Sequence, residues 1–103
     1  MKHLRIAALA LSLSSCTGVE WPKYVECADV ADISASVMQA LLSGGREAWL
    51  DLAREQGPDV AACGARNLVD DLTAPRGEAL SEQEQRALAL AREALEDSGV
   101  EFR

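Results

Sequence analysis

The sequence predicts an all-α fold, a small bundle of three to four helices behind an N-terminal signal peptide. Three observations favour this fold class. Apolar residues recur at helical spacing between residues 27 and 97. Clusters of turn residues separate the periodic segments. No stretch has the strict alternation of a β-strand, and a chain of 103 residues has material for one small core.

The first fifteen residues have the layout of an export signal. Lys2 and Arg5 precede a short apolar run that extends from Ile6 to Leu13. A helix needs roughly 20 residues to cross about 30 Å of hydrocarbon, and this run is much shorter. We therefore expect residues 1–15 to be a signal peptide rather than a transmembrane helix.

The four residues Leu13-Ser14-Ser15-Cys16 resemble the lipobox of bacterial lipoproteins. The resemblance implies cleavage before Cys16 and lipidation of Cys16, so that the protein is exported and anchored to a bacterial membrane. Because Thr17 is not the aspartate associated with inner-membrane retention, the outer membrane is favoured. The alternative is a cytosolic protein whose first helix buries Cys16 as a small apolar side chain.

The charge balance argues against nucleic acid as a partner. Residues 1–15 hold two of the ten basic residues and none of the 17 acidic ones, so the rest of the chain has a net charge of −9. Such a surface repels phosphate groups, whereas nucleic-acid binding depends on basic residues that neutralise them. The single histidine, His3, lies in the predicted signal peptide. Histidine-dependent catalysis and the usual zinc sites are therefore not expected.

No motif in the sequence points to catalysis, to a cofactor or to a metal. Asp70 and Asp71 are adjacent carboxylates, but they lack the compact, glycine-turned loop that calcium sites use. Neither Gly44-Gly45 nor Gly64 is followed by the lysine and hydroxyl residue of a phosphate-binding loop. We expect no catalytic, cofactor-binding or metal-binding residues, and we expect the protein not to be an enzyme.

The periodic region divides into four helices within a domain spanning residues 27–97. Gly44-Gly45 and Gly57-Pro58 separate the first three, and Ser81 with Glu84 has the spacing of a capping box at the start of the fourth. The predicted helices are Cys27–Ser43, Arg46–Gln56, Pro58–Leu72 and 82–97.

The segments outside this domain are predicted to be irregular. Residues 16–26 should form a lipidated tether and residues 98–103 a tail. Trp21 and Tyr24 allow two interpretations within the tether. They either rest at the membrane interface, where such aromatic residues are enriched, or pack against the helical domain.

Cys27 and Cys63 are predicted to form a disulfide, because export permits one and exactly these two cysteines remain after Cys16. They lie near the starts of the first and third helices, which should run in the same direction. A free buried pair and an intermolecular bond remain as alternatives. Gly64 lies inside the third helix, where glycine costs roughly 1 kcal/mol relative to alanine. We expect a neighbouring helix or the disulfide to approach it closely.

The sequence therefore predicts a membrane-anchored lipoprotein with a binding or structural role in the cell envelope and another envelope protein as its partner. The stretch GPDVAACGARNLVDDL, residues 57–72, is similar to small lipoproteins carried by phages and prophages. That resemblance implies a phage-encoded origin. The alternative function is an inhibitor of an envelope enzyme, with residues 73–80 as its protruding loop, or a small protein that acts on peptidoglycan.

Overall fold

The computed structural model describes residues 19–103, so the predicted signal peptide and Cys16 lie outside the described residues. Three α-helices make up most of this region, which confirms the all-α class. Two very short strands and one 3₁₀ helix accompany them. In chain order the elements are β1 (Tyr24–Val25), the 3₁₀ helix (Cys27–Asp29), α1 (Ser34–Gln56), α2 (Pro58–Thr73), α3 (Glu82–Ser98) and β2 (Glu101–Phe102).

The first α-helix begins at Ser34, not at Cys27 as the periodicity predicted. A single 3₁₀ turn and an extended segment occupy the residues before it. The backbone N–H of Ser34, the first of the helix, donates to Oδ1 of Asp32 (2.9 Å) and so has a partner outside the helix. The same oxygen accepts a bond from Nδ2 of Asn67 on α2 (3.2 Å). These two bonds, the backbone one first, lower the pKa of Asp32.

Helix α1 is kinked at Gly45, where the sequence predicted a break. Gly45 has φ 66° and ψ −154°, a conformation that essentially only glycine adopts. The two helices predicted on either side of Gly44-Gly45 are therefore the two arms of α1, residues 34–44 and 46–56. Both arms contribute buried side chains: Val37 and Leu41 from the first, and Trp49, Leu50 and Ala53 from the second.

Helix α2 lies at the centre of the molecule and packs against both α1 and α3. The largest fully buried side chains, Trp49 and Leu41, come from α1, whereas α3 contributes only alanines to the innermost layer. Small side chains let α3 approach α2 closely. No helix within residues 19–103 has the length and apolar character to span a bilayer. The core consists of Val37, Leu41, Trp49, Leu50, Ala53, Ala61, Ala65, Leu68, Leu72, Ala87, Ala91 and Ala94.

The close approach predicted at Gly64 is present, and the neighbour is α1. A Cβ atom on Gly64 would lie 2.7 Å from Cγ2 of Val37 and 3.0 Å from Cγ1 of Ile33. Both distances are shorter than a normal contact between carbon atoms. The absence of a side chain at this position therefore sets how closely α1 and α2 pack.

Replacing Gly64 with alanine should destabilise the protein by about 1–3 kcal/mol, because overpacking outweighs the roughly 1 kcal/mol that alanine gains in a helix. Urea denaturation measures the change. Gly77→Ala, in the connection between α2 and α3, is the control for adding a methyl group without a clash, since no atom lies within 4 Å of its new Cβ. In a Val37→Ala background, the cost of Gly64→Ala should shrink. An equal cost in both backgrounds would contradict the steric explanation.

The capping box predicted for the last helix is present at the start of α3. The backbone N–H of Glu84 donates to Oγ of Ser81 (3.1 Å), and the backbone N–H of Ser81 donates to Oε1 of Glu84 (2.9 Å). The bond from Ser81 holds the pKa of Glu84 below its usual value, with help from the charge of Arg76. Gly99 ends the helix in the left-handed conformation.

The two strands are a feature that the sequence analysis did not predict. β1 and β2 pair in parallel, with Tyr24 opposite Glu101 and Val25 opposite Phe102. The backbone N–H of Glu101 donates to the carbonyl of Lys23 (2.9 Å). The segment predicted as a tail is therefore bound to the start of the described chain. Strands of two residues are too short to show the alternation by which strands are recognised.

Candidate functional site

The structure joins Cys27 to Cys63 in a disulfide, in agreement with the pairing predicted from the sequence. Their Cα atoms lie 5.5 Å apart. Cys27 is partly exposed in the 3₁₀ helix, whereas Cys63 on α2 is only 1% exposed. The bond therefore ties the segment before α1 to the central helix.

The burial of Cys63 arises from a second covered face on α2. One face of this helix carries the stripe that packs against α1 and α3. The 3₁₀ helix and β1 also lie against α2, where Ala62 and Cys63 are buried and Cys63 is bonded to Cys27. Helical periodicity assumes a single apolar stripe, so it does not reveal a second buried face on the same helix.

Two tryptophans attach the N-terminal segment to the core. The ring of Trp21 stacks on the ring of Trp49, with centroids 4.9 Å apart and planes 15° from parallel. Trp49 is 1% exposed, and its Nε1 donates a hydrogen bond to the carbonyl of Ala61 on α2 (3.0 Å). Of the two interpretations that the sequence left open for Trp21, packing against the domain is therefore the one that the structure supports.

Tyr24 differs from Trp21, because 44% of its surface is exposed. Two cations lie near its ring. The guanidinium carbon of Arg103 is 4.1 Å from the ring centroid, and Nζ of Lys23 is 5.6 Å from it. Such cation–π contacts are worth about 0.5–1 kcal/mol at exposed sites. The contact of Arg103, the residue after β2, thus places its guanidinium over the ring of Tyr24 in β1.

An open groove of about 710 Å³ lies beside this segment and the start of α2. Its walls carry several apolar side chains. These side chains belong to Trp21, Pro22, Tyr24, Val25, Val30 and Pro58. The groove exists because the disulfide, the tryptophan stack and the strand pairing hold residues 19–30 against α2. The sequence did not predict this groove, because no local pattern in residues 19–30 indicates that they fold back onto the helices.

Four carboxylates line the same groove. They belong to Glu20, Glu26, Asp29 and Asp59. Among residues 19–103, none of the salt bridges involves any of the four. Asp59 also accepts a hydrogen bond from the backbone N–H of Val60 at the start of α2 (3.0 Å). The groove therefore combines apolar walls with concentrated negative charge.

The lining of the groove determines which partners it could accept. In the part of the chain that the structure describes, no three His, Cys, Asp or Glu side chains are placed to hold a metal ion together. Apolar surface combined with charge of one sign suits a partner of complementary charge and some apolar character. The groove is thus a candidate recognition surface.

The predicted lipidation site, Cys16, falls outside the described residues, so its role stays a prediction from the sequence. The chain matches no protein-family model, no curated protein and no solved structure.

Proposed function

We propose that this protein is a small lipoprotein of the bacterial cell envelope, held to a membrane by an acylated Cys16 and serving a binding or structural role. The observation that carries the proposal is the disulfide between Cys27 and Cys63. Stable disulfides belong to oxidising compartments outside the cytoplasm, which is where the export signal and lipobox-like residues would deliver the chain. Two independent features thus point to the same compartment.

The lipid is expected to be the main attachment to the membrane. Each buried methylene contributes about 0.8 kcal/mol, so one acyl chain binds marginally and two or more hold firmly. The cysteine of bacterial lipoproteins carries two or three chains, as the resemblance implies. Charge cannot assist, because a protein at −9 after residue 15 is repelled by anionic headgroups.

The short distance between Cys16 and the folded domain would keep the groove near the membrane. Three residue steps separate Cys16 from Val19, a span of at most about 10 Å of extended chain. Trp21 lies two residues further on and is already packed against Trp49. An acylated Cys16 would therefore present the groove close to the bilayer rather than on a long flexible arm.

The favoured partner is another envelope protein, and the function is recognition rather than catalysis. The groove of about 710 Å³ supports this, since it offers binding surface of defined charge. The similarity of residues 57–72 to small phage and prophage lipoproteins extends the proposal to a phage-encoded protein. We propose to describe the fold as a three- to four-helix bundle. The count is three helices if α1 is taken as one helix, and four if its two arms are counted separately.

Inhibition of an envelope enzyme, or direct action on peptidoglycan, is the second candidate. The exposed connection between α2 and α3, residues 74–79, favours the inhibitor. A loop of this kind could enter an enzyme cleft. Binding of a basic partner that depends on the groove carboxylates would favour recognition, whereas inhibition that depends on this loop would favour the alternative.

Replacing Cys16 with serine should abolish membrane attachment and leave the helical domain folded. Cell fractionation and detergent partitioning measure the first effect, and circular dichroism measures the second. Thr17→Ser is the matched control, because it keeps the cysteine and should remain with the membrane. If the Cys16→Ser protein still fractionates with membrane after its leader is removed, the proposed anchor is wrong.

A further inference from the structure

We propose that the groove beside the Cys27–Cys63 disulfide binds a basic, extended segment of a partner protein. Lysine or arginine side chains of the segment would lie among the four carboxylates, and its apolar side chains would lie against the walls. The inference rests on the binding role proposed above, to which it adds the chemistry of the partner. It does not depend on lipidation of Cys16.

The size and openness of the groove favour a chain segment as the occupant. Its volume of about 710 Å³ falls within the range of roughly 300–1,000 Å³ found for ligand sites. The groove is open to solvent, so a segment that enters and leaves can occupy it without burying its own ends. Tyr24, 44% exposed, and the partly buried Val30 supply apolar surface for side chains of that segment.

The charge of the groove selects a basic occupant. Within residues 19–103, Glu20, Glu26 and Asp29 take part in none of the salt bridges, so basic groups from another molecule can pair with them. The excess of acidic residues over the whole chain would also attract a basic partner at long range. An anionic occupant, such as a phosphate group or an acidic lipid headgroup, would be repelled by the same charges.

The protein itself already holds a basic side chain of an extended segment against a residue that lines the groove. β2 runs parallel to β1 and is followed by Arg103, whose guanidinium lies 4.1 Å from the centroid of the Tyr24 ring. An extended strand with a basic side chain thus already packs beside β1. The proposed segment would place its basic side chains in the groove, which Tyr24 also lines.

The test is a binding titration with synthetic peptides and the full-length processed protein in neutral detergent. The probe is a blocked octapeptide in which lysine and valine alternate. A lysine–serine octapeptide, a glutamate–valine octapeptide and spermine serve as comparison ligands. We expect binding in the order lysine–valine, then lysine–serine and spermine, with none for glutamate–valine. Isothermal titration calorimetry at two salt concentrations measures the affinities, which should weaken at higher salt.

Charge-neutralising variants locate the binding site. The double variant Glu26→Gln/Asp29→Asn should weaken binding of the lysine–valine peptide about tenfold, as loss of two charge pairs at an interface does. Glu93→Gln/Glu96→Gln removes the same charge from exposed positions on α3 and is the matched control, expected to change affinity less than about twofold. Glu20→Gln is a second groove variant with a smaller expected loss. Circular dichroism and a thiol assay check that each variant is folded and oxidised.

Three results would overturn the inference. One is no binding of the lysine–valine peptide by the folded, oxidised protein. Another is an equal loss of affinity in the groove and control variants, which would mean general attraction to an acidic surface. The third is equal affinity for spermine and the lysine–valine peptide, which would mean that the apolar walls contribute nothing. None of these results alters the membrane fractionation expected for Cys16→Ser. The proposal of a lipid anchor and the proposal of a peptide-binding groove can therefore be rejected independently.

Discussion

Loss of the disulfide between Cys27 and Cys63 is expected to lower the free energy of unfolding by about 4 kcal/mol. The bond links residues 36 positions apart and so restricts a large part of the unfolded chain. A domain of this size has a small core, so this is a large share of its stability. For a domain of fewer than about 100 residues, the loss corresponds to a decrease in melting temperature of roughly 15–30 °C.

Thermal and urea denaturation of the wild-type protein, oxidised and reduced, measure this effect. Cys27→Ala and the double variant Cys27→Ala/Cys63→Ala form a matched pair, because both lack the bond and only the single variant keeps a free thiol at the buried position. The two variants should lose similar stability. Mass spectrometry without reductant should show both thiols absent within one chain. Two freely alkylatable thiols in the exported protein would contradict the prediction.

Replacing Trp49 with alanine is expected to cost about 3–5 kcal/mol, the usual range for a large aromatic residue removed from a core. Trp49 is 1% exposed, stacks on Trp21 and donates a hydrogen bond to the carbonyl of Ala61. Its loss would leave a cavity between α1 and α2 and would free the N-terminal segment from the core. Urea denaturation measures the stability.

Trp49→Phe separates the contributions of the ring and of the hydrogen bond. Phenylalanine keeps most of the stacking surface but cannot donate to Ala61, so the variant should lose the roughly 1 kcal/mol typical of one hydrogen bond and part of the packing energy. Trp21→Ala removes the other half of the stack from a partly buried site and should cost less than Trp49→Ala. Equal losses for Trp49→Phe and Trp49→Ala would contradict the importance of stacking.

The elements that the sequence predicts well are those specified by local signals. The capping box of Ser81 and Glu84, the kink at Gly45 and the boundary at Gly57-Pro58 all depend on residues close together in the chain. Gly64 was also interpreted correctly, because a glycine inside a helix is costly unless something packs against it. In each case the signal lies within a few residues of the chain, although the neighbour that packs on Gly64 comes from the distant residues Ile33 and Val37.

The features that the sequence did not predict depend on contacts between distant segments. The sequence placed the start of α1 too early, because the apolar residues from Cys27 to Ile33 have helical spacing. In the structure these residues form a 3₁₀ turn and an extended segment, and the 3₁₀ turn packs against α2. The strands arise from the pairing of residues 24–25 with residues 101–102, and the groove lies between residues 20–30 and the start of α2. The sequence indicated the cysteine pair by number and compartment, but it did not indicate the groove beside it.

The parallel pairing of β1 and β2 has a mechanical consequence. In a parallel pair, the start of β1 and the end of β2 lie at opposite ends of the ladder. Tension applied between residues 19 and 103 would therefore pull the strands lengthwise past each other, so that their hydrogen bonds resist together rather than opening one at a time. After the hydrogen bonds between the strands had broken, the disulfide between Cys27 and Cys63, which are 36 positions apart, would carry the force. The chain between these two residues would then not be stretched. A protein pulled from its partner while tethered at its N-terminal side could thus extend only through the segments outside that loop.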